Sequence, residues 1–230
     1  ALEEAAPWRE RRPDLDALSL APGTLDGGAA VLERRRLAQV RVYGAGRVGA
    51  ELAALLAAAG VGHLCVIDPG PVRPWHLAPG GLTSAELGGP RDEGAVAAAR
   101  RAAPEVNAWT GRTASQLGDR RPGPDLVVLA PVTPLDGVLA RELVVQGIPH
   151  LAAAVVEGCG VVGPLVLPGR TACLHCMDLT RRDRDPGWPA VGAGLGGLPL
   201  EESACDAVTA TAVAAQTAEY ALAFLDGRDG

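Results

Sequence analysis

The chain has 230 residues, a formal net charge of −6, five cysteines and no lysine, and aromatic residues make up 3% of it. Negative charge and scarce aromatic side chains argue against nucleic acid as a partner, and the lack of a long apolar run or a secretory signal argues against a membrane. The odd number of cysteines does not suggest a disulfide framework, so we expect a cytoplasmic protein with one substantial core.

Residues 1–36 are rich in charge, proline and glycine, with arginines clustered around Arg9 and again at Arg34–Arg36. We interpret this segment as a solvated N-terminal arm. The alternative is an arginine-bearing segment that reaches a phosphate or a partner subunit. The chain begins with alanine, so we expect it to be part of a longer protein.

Strands and helices alternate regularly along residues 37–230. The hydrophobic pattern predicts strands at 40–43, 63–67, 125–130, 150–156 and 160–167, and helices at 48–59, 92–103, 135–146 and 203–225. This alternation predicts a Rossmann-like α/β fold, in which a mostly parallel sheet carries helices on both faces. We divide the domain into a glycine-loop half, 37–135, and a second half, 136–230.

A glycine-rich turn at residues 44–49, Gly-Ala-Gly-Arg-Val-Gly, lies between the first predicted strand and the first helix. Gly44 permits a tight turn, Gly46 lets the backbone approach a phosphate, and Gly49 allows close packing of helix and strand. Asp68, at the end of the second strand, can accept hydrogen bonds from ribose hydroxyls. The combination predicts a nucleotide site that suits ATP or NAD; the alternative is a glycine turn kept for packing alone.

The segment from Val40 to Val106 resembles the ThiF/MoeB/ubiquitin-activating superfamily, in which a glycine loop, a Gly-Val-Gly-like turn and a strand ending in Asp follow one another. The Gly-Val-Gly of this chain is Gly60–Gly62. The resemblance implies an adenylyltransferase scaffold with ATP as its cofactor, a homodimer, and a ThiF/MoeB-like extension in the second half.

Several positions depart from the pattern of that superfamily. His76 stands in place of an Asn, Pro79 in place of the Arg that serves the ATP phosphates, and Arg91 in place of a Lys. Val132 stands where the family has a metal-handling Asp. Adenylation needs cations that neutralise charge on the leaving pyrophosphate, so these changes together predict a degenerate adenylation site.

Other arginines can compensate for the lost charges. Arg91 keeps a positive charge at its position, and Arg47 or Arg73 can act from another direction, although Arg47 is equally explained as an exposed residue of the first helical turn. The residues that we predict to bind the cofactor are Gly44, Gly46, Arg47, Gly49, Asp68, Arg73 and Arg91.

The second half resembles the bacterial ThiF-like proteins associated with azole-modified peptide biosynthesis, the leader-peptide-binding type. The resemblance is carried by residues 163–176, which end in Cys-Leu-His-Cys, and by residues 183–189 and 221–227. It implies a leader peptide or a partner biosynthetic protein as the ligand.

Cys173 and Cys176 correspond to half of the zinc site found in many members of the superfamily, and the chain reaches Gly230 without the second CxxC. Structural zinc needs four ligands, so we expect no metal and a pair of free thiols or a disulfide in a loop. If zinc were bound, Cys173 and Cys176 would hold it with help from Cys205, Cys159 or His175.

Cys205 matches the position of a sulfur-transfer cysteine in the family. It precedes the last predicted helix, and a helix N-terminus favours the thiolate. Cys205 and Arg91 are therefore the candidate catalytic residues, with a purely structural role for Cys205 as the alternative.

These observations leave three hypotheses. The first is a ThiF-like protein with a degenerate adenylation site that serves as a binding or assembly platform. The second is an active ATP-dependent adenylyltransferase that activates a peptide or a ubiquitin-like modifier through relocated arginines. The third is an NAD-dependent oxidoreductase, against which the sequence offers no evident acid or base for hydride transfer.

Overall fold

The computed structural model describes residues 11–21, 24–111, 123–131, 137–188, 190 and 204–228. Its helices and strands follow one another along the chain as α1 (Arg12–Ser19), α2 (Ala29–Leu37), β1 (Gln39–Tyr43), α3 (Arg47–Ala58), β2 (His63–Ile67), α4 (Arg91–Ala102), β3 (Asn107–Thr110), β4 (Leu126–Leu129), α5 (Gly137–Val145), β5 (His150–Val156), β6 (Cys159–Val166), α6 (Leu174–Arg184) and α7 (Ala207–Leu225). Short 3-10 helices occupy Pro74–His76 and Ser84–Glu86.

The strands form one six-stranded sheet in the order β3-β2-β1-β4-β5-β6. All neighbouring pairs are parallel except β5 and β6, which are antiparallel. The prediction of a Rossmann-like, mostly parallel sheet is therefore confirmed. The chain reverses direction across the sheet between β1 and β4, and this switch point opens a crevice at the carboxyl ends of the two strands.

Side chains from alternate positions of the strands pack on the two opposite faces of the sheet. On one face, β1, β2 and β4 pack against the alanine- and leucine-rich helices α3, α4 and α7. On the other face, residues such as Cys65 and Val127 pack against Leu143 of α5 and Leu174 of α6. Helices therefore cover both faces, and the central strands are buried on both sides, as a parallel sheet requires.

Within residues 37–230, two elements differ from the sequence prediction. Strand β3 was not expected, because its four residues are few and the first and last of them are exposed at the sheet edge. Helix α6 was expected to be loop, because its sequence is rich in charge and none of its residues is buried. The Cys-Leu-His-Cys motif consequently lies at the start of a helix, and the expectation of a loop is wrong.

The segment interpreted as a solvated arm contributes both α1 and α2, and part of it is buried; Arg9 lies outside the described residues. Arg35 of α2 donates from Nε and Nη2 to the two carboxylate oxygens of Asp226, at 2.8 and 2.7 Å. Its Nη1 donates to the carbonyl of Ala59 at 3.1 Å. The charge of Arg35 is therefore used inside the protein, where it joins α2 to the end of α7. Within the described ranges, none of the helices combines the length and apolarity that a membrane crossing needs.

Candidate functional site

The glycine loop follows β1 at the switch point and turns sharply next to Ala130, which follows β4. Gly44 has a φ of +97°, and a Cβ built on it would lie 2.0 Å from the carbonyl oxygen of Ala130. Its backbone N–H donates to the carbonyl of Ile67 at 3.0 Å, which fixes the loop to β2. Only glycine fits this position, because both the backbone conformation and the close approach exclude a side chain.

The first turn of α3 is arranged to favour an anion. Gly46 is the N-cap, it offers no side-chain cap, and no acidic residue lies in the first turn. A Cβ on Gly49 would lie 1.9 Å from the carbonyl oxygen of Gly44, so the helix packs directly on the loop. The start of α3 therefore presents the positive end of a helix dipole at the crevice, as phosphate-binding loops do.

Asp68 lies at the same crevice, and four hydrogen bonds occupy its carboxylate. Oδ2 accepts from the backbone N–H of Ala45 at 2.8 Å and from Nε of Arg91 at 2.9 Å. Oδ1 accepts from the backbone N–H of Gly70 at 3.1 Å and from Nη2 of Arg91 at 2.9 Å. Two donors to each oxygen use the lone pairs that a carboxylate offers, so a ribose hydroxyl would have to displace one of them.

Arg91, the first residue of α4, is held in place from several directions. Its Nη1 also donates to the carbonyl of Pro71 at 3.2 Å, and its side chain is 5% exposed. A Cβ on Gly70 would lie 2.1 Å from Nη2, so Gly70 leaves the space that the guanidinium fills. Burial and the nearby negative charge of Asp68 raise the pKa of Asp92, the next residue. The guanidinium of Arg91 thus donates twice to Asp68 and once to the carbonyl of Pro71.

Arg47 is likewise engaged with the protein. Its Nε donates to the carbonyl of Trp75 and its Nη1 to the carbonyl of Cys205, both at 2.7 Å. The guanidinium therefore ties the glycine loop to the 3-10 helix on one side and to the segment before α7 on the other. Both hydrogen bonds hold the guanidinium of Arg47 against backbone carbonyls of the protein.

The structure describes Arg73, His76 and Pro79 among the remaining positions that the sequence singles out. Arg73 is exposed, and its backbone N–H donates to Nδ1 of the buried His76 at 3.0 Å. Pro79 is exposed. Val132 lies outside the described residues, so the family's metal-handling position has no structural account.

Cys205 differs from the expectation of a thiolate at a helix start. Burial raises the pKa of its thiol, the positive charge of Arg47 opposes that rise, and the negative charge of Asp206 adds to it. Asp206 is the N-cap of α7, and its Oδ1 accepts from the backbone N–H groups of Val208 and Thr209 at 2.9 and 3.0 Å. The carboxylate of Asp206, and not the thiol of Cys205, therefore interacts with the positive end of the helix dipole. The expectation that the helix start lowers the pKa of Cys205 is wrong.

Cys173 and Cys176 lie together at the start of α6, with their Sγ atoms 3.5 Å apart. No group of three or more His, Cys, Asp or Glu side chains that could hold a metal ion exists in the part of the chain that the structure describes. Of the proposed additional ligands, Cys205, Cys159 and His175, none completes a metal site with this pair in the described structure.

A buried carboxyl on α3 was missed in the sequence. Glu51 is 6% exposed, and Thr211 of α7 donates its hydroxyl to Oε2 at 3.0 Å. Burial raises the pKa of Glu51, and the hydrogen bond from Thr211 opposes the rise. The signal in the sequence was a single glutamate within an alanine- and leucine-rich helix, one turn after Arg47.

Comparison with known proteins gives a consistent assignment of the fold. Residues 23–230 match the model of the ThiF family. A structure of Escherichia coli MccB with MccA is similar with a TM-score of 0.73 and 19% identity, covering 97% of this chain and 64% of that one. The microcin C7 biosynthetic enzyme MccB in complex with N-formylated MccA is similar with a TM-score of 0.74 and 18% identity, covering 97% of this chain and 65% of that one. The structure of PaaA is similar with a TM-score of 0.74 and 17% identity, covering 96% of this chain and 75% of that one.

The chain spans less than two thirds of the length of these two MccB chains. No curated protein sequence matches it. At these identities the structural likeness establishes the fold, while the match of the family model extends over most of the chain.

Proposed function

The chain belongs to the ThiF family, and from that premise we propose that it is a ThiF-type scaffold with a degenerate adenylation site, which serves as a binding or assembly platform for a peptide or a partner enzyme. The observation that carries the proposal is the ion pair between Asp68 and Arg91, buried at the carboxyl ends of the strands. Arg91 occupies both oxygens of the Asp68 carboxylate, which would otherwise recognise a ribose. In turn, Asp68 neutralises the positive charge that was expected to serve the phosphates.

The residues at the crevice fit the phosphates of ATP but not its ribose. The glycine loop, with Gly44, Gly49 and the uncapped start of α3, fits a phosphate. Asp68 does not fit a ribose while Arg91 holds it, and Arg47 is committed to two carbonyls. Adenylation depends on cations preorganised around the leaving pyrophosphate, and these arginines do not supply them.

A peptide partner is supported by the structural neighbours. Several of the MccB structures that match this chain were determined with MccA or with an MccA derivative, and one of them is described as the microcin C7 biosynthetic enzyme. Together with the resemblance of residues 163–176 to azole-peptide proteins, this favours a leader peptide as the ligand. We further propose a cytoplasmic homodimer, for which light scattering at micromolar concentration should give twice the chain mass; a monomer mass would contradict it.

Calorimetric titration with ATP and with NAD, each with and without magnesium, tests the state of the site. We expect weak or undetectable binding to the wild-type protein. Arg91→Lys should bind ATP more tightly, because a lysine offers a point charge that cannot occupy both oxygens of Asp68 as a guanidinium does. The matched control is Arg101→Lys, which alters an exposed arginine paired with Glu86 and should leave the titration unchanged.

The outcomes separate the three hypotheses. Tight, magnesium-dependent ATP binding by the wild-type protein would favour the active adenylyltransferase. Preferential binding of NAD would favour the oxidoreductase. Equal behaviour of wild type and Arg91→Lys, with no binding in either, would show that the ion pair is not what closes the site.

A further inference from the structure

A cleft opens at the amino ends of β2 and β3, at the end of the sheet opposite to the nucleotide crevice. Its volume is about 260 Å³. The polar side chains in its walls are those of Arg11, Arg36, His63, Glu105 and Asn107. Asp68 follows the other end of β2, so the length of that strand separates the two places. The cleft therefore shares none of its lining residues with the nucleotide crevice.

The turn Gly60–Gly62 brings two arginines to the cleft from different helices. Arg11 is the N-cap of α1, and Arg36 lies in the last turn of α2. Gly60 has a φ of +101°, and a Cβ on it would lie 3.4 Å from Nη1 of Arg11. A Cβ on Gly62 would lie 1.9 Å from the carbonyl oxygen of Arg36. Only glycine lets the turn pass so close to the end of α2.

Both arginines already bind carboxylates, and both carboxylates are largely exposed. Arg36 donates from Nε and Nη2 to the two oxygens of Glu33, at 2.8 and 2.6 Å. Nη2 of Arg11 donates to Oε1 of Glu105. The side chains of Glu33 and Glu105 are 45% and 56% exposed, and ion pairs at such positions contribute little to stability. A carboxylate that enters the cleft can therefore replace either glutamate at little cost.

Two donors in the cleft are oriented by the protein itself. Nη2 of Arg11 also donates to the carbonyl of Ala57 at 3.1 Å, and the Arg11 side chain is 11% exposed. Nδ2 of Asn107 donates to Nδ1 of His63 at 3.1 Å, because an amide nitrogen cannot accept. In the neutral imidazole the proton then lies on Nε2, which has no hydrogen-bond partner among the described residues. The cleft thus offers an N–H of His63 beside two guanidinium groups.

From this arrangement we infer that the cleft is a second ligand site, which binds a small dicarboxylate. One carboxylate pairs with Arg36 and accepts from Nε2 of His63, and the other takes the place of Glu105 on Arg11. Guanidinium groups bind carboxylates through paired, charge-assisted hydrogen bonds, so two of them favour a ligand with two carboxylates. Pockets for drug-sized molecules measure about 300–1,000 Å³, so the smaller volume of this cleft limits the ligand to a small acid.

An NMR titration of the full chain with succinate, at an ionic strength kept constant with sodium chloride, measures binding at the cleft. The chain has four histidines, and His63→Gln identifies the imidazole signals of His63. We expect these signals and the backbone amide of Asn107 to shift along one saturable curve, while the amides of the glycine loop, 44–49, stay unchanged. Acetate, with a single carboxylate, should bind about ten-fold more weakly than succinate.

A matched pair of variants completes the design. Arg36→Gln should weaken succinate binding by about ten-fold, because it removes the guanidinium that receives one carboxylate. Arg36 is 53% exposed, so this variant is expected to fold, and its amide spectrum checks that it does. Arg34→Gln, at an exposed position of the same helix outside the cleft, should bind succinate as the wild type does. Shifts that do not saturate, or equal binding by Arg36→Gln and the wild type, would overturn the inference. So would acetate that binds as tightly as succinate.

Discussion

Two arginine–aspartate pairs are buried in the described part of this chain, and both are bidentate. Arg35 donates to Asp226 at 2.8 and 2.7 Å, and Arg91 donates to Asp68 at 2.9 Å twice. All four side chains are at most 7% exposed. By distance, charge and burial the two pairs are nearly equivalent.

Their surroundings differ. Asp226 follows α7 and also accepts from the exposed Arg228. Its partner Arg35 lies in the last turn of α2, just before β1 begins at Gln39. Asp68 also accepts from backbone N–H groups of Ala45 and Gly70, at the crevice where parallel α/β sheets bind their ligands. The comparison teaches that the topology around an ion pair, and not the pair itself, distinguishes a structural role from a closed ligand site.

The largest effect that we predict is on stability, and it should not separate the pairs. Asp226→Asn and Asp68→Asn should each lower the free energy of unfolding by about 3–5 kcal/mol, because each leaves a buried guanidinium without its counter-charge. Denaturant titration measures both. Glu33→Gln is the control: it alters the exposed pair with Arg36 and should cost at most about 1 kcal/mol.

Ligand binding should separate the pairs where stability does not. Of the four residues in the two pairs, only Asp68 and Arg91 should change nucleotide titrations when substituted, because Asp226 lies outside the crevice. A cost below about 1 kcal/mol for Asp226→Asn would show that the pair is not effectively buried. A changed ATP titration in Asp226→Asn would remove the distinction between the two regions.

The sequence could predict the position of one member of the pair at the crevice, but not its contact with the other. Asp68 follows a buried strand after a glycine loop, and strand ends meet at one edge of a parallel sheet, so its position was predictable. Arg91 was identified as an arginine in the place of the family's lysine. Its contact with Asp68, however, depends on the path of residues 69–90 and on the space left by Gly70. Neither follows from hydrophobic periodicity.

The same limit applies elsewhere in the fold. The buried central strands were predictable, because continuous apolar runs of this length are typical of them. The helix that carries Cys173 was not, because its stability comes from packing of Leu174 and from local turns instead of an apolar face. Arg35 was misread as solvated because its partner lies 191 residues away in the chain.

A smaller effect on stability is expected at Glu51. Its buried carboxyl is hydrogen-bonded to the neutral hydroxyl of Thr211, whereas the carboxylates of Asp68 and Asp226 are paired with arginines. Because burial raises the pKa of Glu51 in the folded state above its ordinary value, the protonated form favours folding. This contribution is present below the unfolded-state pKa and is lost as the pH rises through the folded-state pKa.

Glu51→Gln, which stays neutral, should therefore stabilise the protein at neutral pH, and the gain should shrink as the solution becomes acidic. Denaturant titrations at neutral and at acidic pH measure the difference, and Glu93→Gln, at an exposed position of α4, is the control. A gain that grows on acidification would contradict the burial of Glu51.

The central claim is that the crevice at Asp68 and Arg91 no longer supports adenylation, and pyrophosphate exchange tests it most directly. The wild-type protein is incubated with ATP, magnesium, labelled pyrophosphate and a candidate leader peptide, and label entering ATP is counted. The closed ion pair predicts exchange that cannot be distinguished from a reaction without protein. Robust, peptide-dependent exchange that is abolished by Asp68→Asn would contradict the account and establish an active adenylyltransferase.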